Sequence, residues 1–454
     1  MYHIDTSVKS HKKGFTPNVQ VAALAELLQD DEIELICRQL GHTWRNRIFT
    51  PAVTVRSMVH RALNPDKSIR STLVDLAALD HRLEQTPADA SWCQARSRLP
   101  AELWPQLLQR SIKRLQQSPS GQYAYQKRPV YLIDGSTLSM PDSPPLAQHF
   151  GYYCTKDGPS RFPVARLTLI LLSGLDGVWD YRLDHFRTSE DAQLHQMWQD
   201  LPSGSICIFD RLLSTFYNLA KFQQRGIDTI APLHQMRDPQ KLIAKGKAIG
   251  TNQWIVELNL RQQRHKKYND PTLSRQLPVR LIRLPFLHHD KPKLTWLVTT
   301  LLDPNRYPQT DIIKLYRDRW GIETRLGELK TTLQMNILRS KGPQAARYEV
   351  ASTILGYNLL RTVIHQAAKQ NRVPADRISF ATAIKMILAY SLSLRIANPP
   401  QRQKIYHQML HDIARYCNPI RPGRVEPRRV KRNDGHYPYL SIPRDLARKK
   451  CLSK

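Results

Sequence analysis

At residue 128 the texture of the chain changes, and the order of the segments that follow admits few folds. "RPVYLIDGSTLSMPD" (128–142) holds a short apolar strand ending at Asp134. "FPVARLTLILL" (162–172) reads as a second strand, and the turn residues "SGLDG" lead into a third, "VWDYRLDHF" (178–186). Ser189 has the character of a helix N-cap, with Glu190 and Asp191 in the first turn ahead of "AQLHQMWQDL". "SICIFD" (205–210) is a compact fourth strand ending at Asp210, and a helix over about 214–225 precedes a fifth, "IDTIAPL" (227–233). The order β-β-β-α-β-α-β predicts an α/β mixed sheet: three antiparallel strands, then alternating helix and strand with helices on its faces. A right-handed crossover makes the first and fourth strands parallel neighbours. Asp134 and Asp210 then sit side by side near one end of the sheet. Taken singly, each is also a common turn residue, Asp134 before Gly135 and Asp210 at the end of its strand.

The flanks have a different grain. "VQVAALAELLQDDEIELICRQLG" (19–41), "VTVRSMVHRAL" (53–63), "SIRSTLVDLAAL" (68–79) and "AELWPQLLQRSIKRLQQS" (101–118) repeat at helical spacing. Residues 1–125 are thus expected to be an all-helical N-terminal region, ahead of the first part of the sheet over 126–233. Over 234–300, "QWIVELNL", "LPVRLIRL" and "LTWLVTTL" alternate like strands between basic loops such as "RQQRHKK", which predicts a β-rich insertion. The helical pattern resumes at 310–335 and runs through 301–400. Residues 401–454 carry 14 Lys/Arg against 4 Asp/Glu, and "RPGRVEPRRVKR" marks a basic, extended tail.

The whole chain has 68 Lys+Arg against 38 Asp+Glu, a formal charge of +30. Such an excess favours a polyanionic partner, of which nucleic acid is the commonest, without implying base-specific recognition. Six cysteines stand apart, with no CxxC and no Cys/His cluster at zinc spacing, so reduced thiols in a cytosolic protein are expected. The polar start "MYHIDTSVKSHKKGF" is unlike a secretory signal, and "LTLILLSGL" (167–175) is too short to span a bilayer. The chain carries neither a P-loop nor a dinucleotide fingerprint, so no nucleotide cofactor is expected.

Residues 316–330, "YRDRWGIETRLGELK", put Tyr316, Arg319, Glu323 and Lys330 on one helical stripe. At 3.6 residues per turn their offsets fall at roughly 0°, 300°, 340° and 320°. The stripe is either a solvated face with an Arg319–Glu323 pair or one edge of a site. Asp134 and Asp210 at the strand ends and Glu323 on a helix across the sheet would form a cluster of hard oxygen ligands. Such clusters suit Mg²⁺ or Mn²⁺, because a divalent cation offsets the mutual repulsion of carboxylates.

The spacing Tyr-x₂-Arg-x₃-Glu-x₆-Lys, with "IDGSTLSMPD" and "FDRLLSTF" as the aspartate segments, resembles the insertion-sequence-four family of bacterial DDE transposases over about 128–362. The resemblance implies a ribonuclease-H-like catalytic core, with Asp134, Asp210 and Glu323 holding two Mg²⁺ ions for cut-and-paste transposition. It further implies phosphate contacts from Tyr316, Arg319 and Lys330, double-stranded DNA as partner (the element's terminal inverted repeats and the target), a homodimer on that DNA, and a bacterial, nucleoid-associated location. Trp296 either stacks on a flipped base or packs in a strand core, and Arg211 either touches phosphate or is a plain surface arginine. "HQMR" (234–237), with Tyr268 beyond it, fits a tyrosine-recombinase pattern in the wrong setting, and "HHD" (288–290) reads as a turn.

Overall fold

The computed structural model of the chain describes residues 24 and 27–420, except 46, 65, 80–84, 118–123, 156–157, 261–269 and 289–290, together with Leu446 and Lys449. Two compact units result, Met1–Cys417 and Asn418–Lys454. Of the expected basic tail, 421–445, 447–448 and 450–454 lie outside the described residues.

Five helices open the first unit: α1 (Asp30–Gln39), α2 (Pro51–Leu63), α3 (Ile69–Leu79), α4 (Asp89–Arg98) and α5 (Leu103–Gln116). The start of α2 follows from its sequence, because Thr50 Oγ1 accepts from Val53 N–H at 3.3 Å and Pro51 holds the first helical position. The short strand β1 (Ala124–Tyr125) turns through Gln126 and Lys127, both at positive φ, into β2 (Arg128–Ser139). Then come α6 (Pro144–Phe150), β3 (Tyr152–Thr155), β4 (Gly158–Leu172), β5 (Gly177–His185), α7 (Glu190–Met197), β6 (Ile206–Ile208), α8 (Phe216–Gln224) and β7 (Asp228–Pro232). Ser189 caps α7 as expected, its side chain accepting from Ala192 N–H at 3.1 Å.

In space the core order is β5-β4-β2-β6-β7, with β2, β4 and β5 antiparallel and β2, β6 and β7 parallel. That is the mixed sheet expected from the segment order, and it is the ribonuclease-H-like arrangement. Strand β2 continues past Asp134 to Ser139, so Asp134 lies within the strand and not at its end.

The insertion does not form a sheet of its own. After α9 (Pro239–Ile243), strands β8 (Lys247–Gly250), β9 (Gln253–Asn259), β10 (Gln276–His288) and β11 (Lys291–Thr299) extend the same sheet in the order β7-β11-β10-β9-β8. Strand β11 runs antiparallel to β7, with Leu297 opposite Pro232 and Thr299 opposite Ile230.

Alternation along the strands divides the apolar side chains between two cores. Val130, Leu132, Leu167, Leu169, Ile206 and Ile208 face one side, and Tyr131, Ile133, Ile170, Leu172 and Cys207 face the other. The first side is covered by α10 (Gln309–Asp318), α11 (Trp320–Gly327) and α12 (Pro343–Asn371), and the second by α7 and α8. The 29-residue α12 packs against α2 and α5 as well as β5. The N-terminal helices therefore share the sheet's core, and the expected boundary at 125 is a change of secondary structure and not a gap in packing. Residues 401–415, expected to be extended, belong to a helix that packs on α13 (Phe380–Ile396) and α12. This helix, α14 (Pro399–Arg415), begins in a capping box between Asn398 and Gln401.

The helix expected over 310–335 is segmented. Between α10 and α11 the backbone tightens, with Arg319 N–H on Tyr316 O at 3.2 Å and Ile322 N–H on Arg319 O at 2.9 Å. After α11 it loosens into a π-helical turn, Glu328–Thr332, where Leu333 N–H reaches Glu328 O at 2.8 Å. A buried charge network holds this turn. Arg361 of α12, 1% exposed, pairs with Glu328 and lies 3.9 Å from Asp176, while Arg325 bridges Glu328 at 2.8 Å and Asp176 at 2.7 Å.

Arg361→Met leaves these two carboxylates with Arg325 alone. We expect a loss of about 3–5 kcal/mol in chemical denaturation. Arg38→Met, which removes an exposed i,i+4 pair with Glu34, should change stability by less than about 1 kcal/mol.

Candidate active site

Strand parity sets the site. Asp134 follows Val130 and Leu132 on the first face of β2, and Asp210 shares the parity of Ile206 and Ile208 just beyond β6. Glu323 comes from α11, whose Ile322 and Leu326 pack on that same face. The three acids meet electrostatically at Asp134. Burial pushes its carboxyl above the usual range, and Asp210 and Glu323 push it further; Gly135 N–H, at 2.9 Å from Oδ1, and the Arg319 guanidinium pull the other way.

The three differ in how they are held. Asp210 accepts Leu213 N–H at 3.1 Å, which fixes the turn after β6. Glu323 is the open member, its side chain 65% exposed and 3.8 Å from Arg319 Nη2. Among the described residues no three His, Cys, Asp or Glu side chains stand close enough to close around an ion. The donor set nonetheless fits a hard divalent cation in chemistry. It is all carboxylate oxygen, and at Asp134 burial and the neighbouring acids disfavour the ionised form unless a cation compensates.

Arg319 is largely buried, 12% exposed, with its guanidinium 5.8 Å from the Tyr316 ring, whereas Glu323 of the same stripe is exposed. Tyr316 itself is partly buried against the first core. Lys330, within the π turn, donates to Ser136 Oγ at 2.8 Å, on the same face of β2 as Asp134, and burial lowers its affinity for a proton. Arg211 is exposed beside Asp210. Trp296 is placed otherwise than expected for a base-stacking residue. It is 9% exposed in the second core, its ring 5.5 Å from Trp254, and offers no free face to a base.

Sequence reasoning missed neighbours of the acids. Glu190 was read only as a first-turn helix acid. Its carboxyl pairs with Arg166 at 3.0 Å, is pushed upward by burial and then by Asp210 and Asp134, and is drawn back by Arg166. His234, of the discounted "HQMR", has its proton affinity lowered by burial and by Arg237 and Arg211, against a pull from Asp210. Tyr268 and His289–Asp290 lie outside the described residues. Among the described residues no helix is long and apolar enough to cross a membrane.

Residues 125–359 match the family described as "Transposase DDE domain". With the ribonuclease-H-like sheet, this makes the class a DDE transposase. The chain is 23% identical over 314 residues to "Transposase InsG for insertion sequence element IS4" of Escherichia coli (strain K12), covering 67% of this chain and 68% of that one. It is 29% identical over 98 residues to "Putative transposase InsZ" of the same organism, covering 21% of this chain and 33% of InsZ. A solved "piggyBac transposase synaptic complex with hairpin DNA" aligns over 91% of this chain and 86% of that one, at 12% identity and a TM-score of 0.41. The chain belongs to the DDE transposases and, within them, to the insertion-sequence-four family; it is a DNA transposase.

Because the folded state raises the pKa of Asp134, it binds the proton more tightly than the unfolded chain does. The resulting stability is present at acid pH and is lost as pH rises through the folded value. At neutral pH the ionised Asp134 therefore opposes folding, and Asp134→Asn should stabilise the chelator-treated protein by on the order of 1 kcal/mol. Thermal melts should show the gain at neutral pH and its disappearance below about pH 4.

Proposed function

We propose that Asp134, Asp210 and Glu323 form the centre at which this transposase cuts and rejoins DNA, and that they hold two divalent ions there, Mg²⁺ with Mn²⁺ able to substitute. The observation that carries this is the electrostatic convergence of three acids from separate elements on Asp134, with the Arg319 guanidinium acting on Asp134 and lying 3.8 Å from Glu323. Family membership supports it, since DDE transposases work with divalent ions. Bound ions would supply Lewis-acid activation of a water or a 3′-hydroxyl and stabilise the leaving oxygen of a phosphodiester.

The protein's own groups do the rest. Asp134 is rigid on a strand, so it fixes where the acidic centre lies. Glu323, exposed and loosely tied to Arg319, is free to turn toward the other two acids. Arg319 presents a planar fork and Lys330 a point charge, suited to the phosphates flanking a scissile bond, and the Tyr316 hydroxyl can donate to a third. Arg211, exposed next to Asp210, serves the same backbone. A formal charge of +30 favours holding long stretches of duplex, the element's terminal repeats and the target. Joining both ends of an element in one complex calls for two copies of the chain on the DNA.

The test is strand cleavage and joining of labelled element-end DNA with Mg²⁺. Glu323→Gln and Asp134→Asn should each lower cleavage by at least about 100-fold, the scale of losing one preorganised electrostatic contact to a transition state. End binding in a gel-shift assay should be largely kept. A wild-type protein that cuts but never yields joined product is a nuclease, and would refute the assignment.

A further inference from the structure

Gly135 follows Asp134 on β2 and faces the opposite side of the sheet, the side covered by α7. A Cβ built on Gly135 would overlap the carboxyl of Glu190, so the missing side chain leaves the space that Glu190 fills. The pairing of β2 with β6 ends at Leu132 opposite Ile208. Beyond that point no ladder closes the sheet between Asp134 and the segment leading to Asp210. Glu190 thus reaches both aspartates electrostatically from behind the sheet. The cap at Ser189 fixes the start of α7, and Arg166 of β4 fixes the carboxyl by donating to Oε1 at 3.0 Å. Arg166 also donates to Phe186 O at 3.3 Å, so it stays in place without Glu190.

We propose that Glu190 is a fourth carboxylate of the catalytic centre, acting through the gap left by Gly135, with Arg166 as its counter-ion. This rests on the assignment of the Asp134–Asp210–Glu323 centre made above. Glu190 adds negative charge where a divalent ion is to be captured. Arg166 tempers that charge and keeps it from driving α7 off the sheet. An arrangement of this kind sets how tightly the centre takes its ion. A salt bridge that merely fastened α7 to β4 would not affect ion binding in this way.

The experiment is calorimetric titration of the full chain with Mn²⁺ alone, without DNA. Glu190→Gln should weaken binding by about 10-fold, at the lower end of the effect of partners just outside a metal's ligands. Arg166→Gln should bind at least as tightly as wild type, because it leaves Glu190 uncompensated. The double variant should match Glu190→Gln, and since it removes both charges together it tests the idea even where the single change destabilises α7. Wild-type affinity in Glu190→Gln or in the double variant would overturn the proposal. So would an equal loss in Arg166→Gln and Glu190→Gln, the mark of a purely structural pair. Asp134→Asn separates the two levels of inference. If it binds Mn²⁺ as wild type does, the centre itself is misassigned; if it loses binding while Glu190→Gln does not, only Glu190 is.

Discussion

A knot of buried charge fastens the helix that carries Glu323 to the rest of the molecule. Glu328 begins the π turn right after α11 and pairs with Arg361 and Arg325; Tyr357 donates to it at 3.2 Å. Asp176, at positive φ in the turn between β4 and β5, takes the other side of both arginines. Arg361 also lies over the Phe380 ring at 4.9 Å. Unpaired charge is costly in such surroundings, so α11 cannot slide or roll without stranding one member. The π turn is the geometry that brings Glu328 into the knot while Lys330 still reaches Ser136. Just beyond it, Leu338 N–H donates to Ser139 O at 2.8 Å, tying the same segment to the end of β2. The acid of the helix and the acid of the strand are thus referred to one frame.

The sheet then converts parity into chemistry. Even-numbered positions of β2 face α11 and α12, and odd-numbered positions face α7. Asp134 and Ser136 therefore join the helix stripe, while Gly135 opens toward Glu190. Burial and like charge make Asp134 costly to ionise, and the surrounding structure bears that cost because both faces of the sheet are covered by helices.

Much of this was legible in the sequence, and for identifiable reasons. Strand order followed from long apolar runs bounded by turn residues, and the Ser189 cap from a local rule. The helical character of 316–330 was legible from its periodicity, but the tight turn and the π turn that segment it leave no mark in side-chain spacing. The strand end at Asp134 was misread because "GSTLS" has the composition of a turn, although Leu138 continues the alternation and is fully buried. The capping residues Asn398 and Gln401 and the apolar Ile405, Met409 and Ile413 of α14 were present but masked by the basic charge around them. Trp296 was undecidable because β11 is covered on both faces, so alternation there does not separate exposed from buried. Glu190 and the charge knot were not readable at all, since their partners come from distant segments and only the folded chain brings them together.

The helix α12 explains why this frame involves the whole first unit. It is buried along most of its length, and on one side it packs against α2 and α5 while on another it carries Arg361 into the knot. Asn358 pins the three elements at their crossing, donating to Ser111 of α5 at 3.0 Å and accepting from Val178 of β5 at 2.8 Å. Lys67, between α2 and α3, reaches the carbonyl of Leu333 at the end of the π turn. Burial pulls its pKa down to about 8, and Glu349 partly restores its charge. The N-terminal helices are therefore part of the same packed body as the sheet. They supply one wall of the same core into which Ile322 and Leu326 of α11 pack.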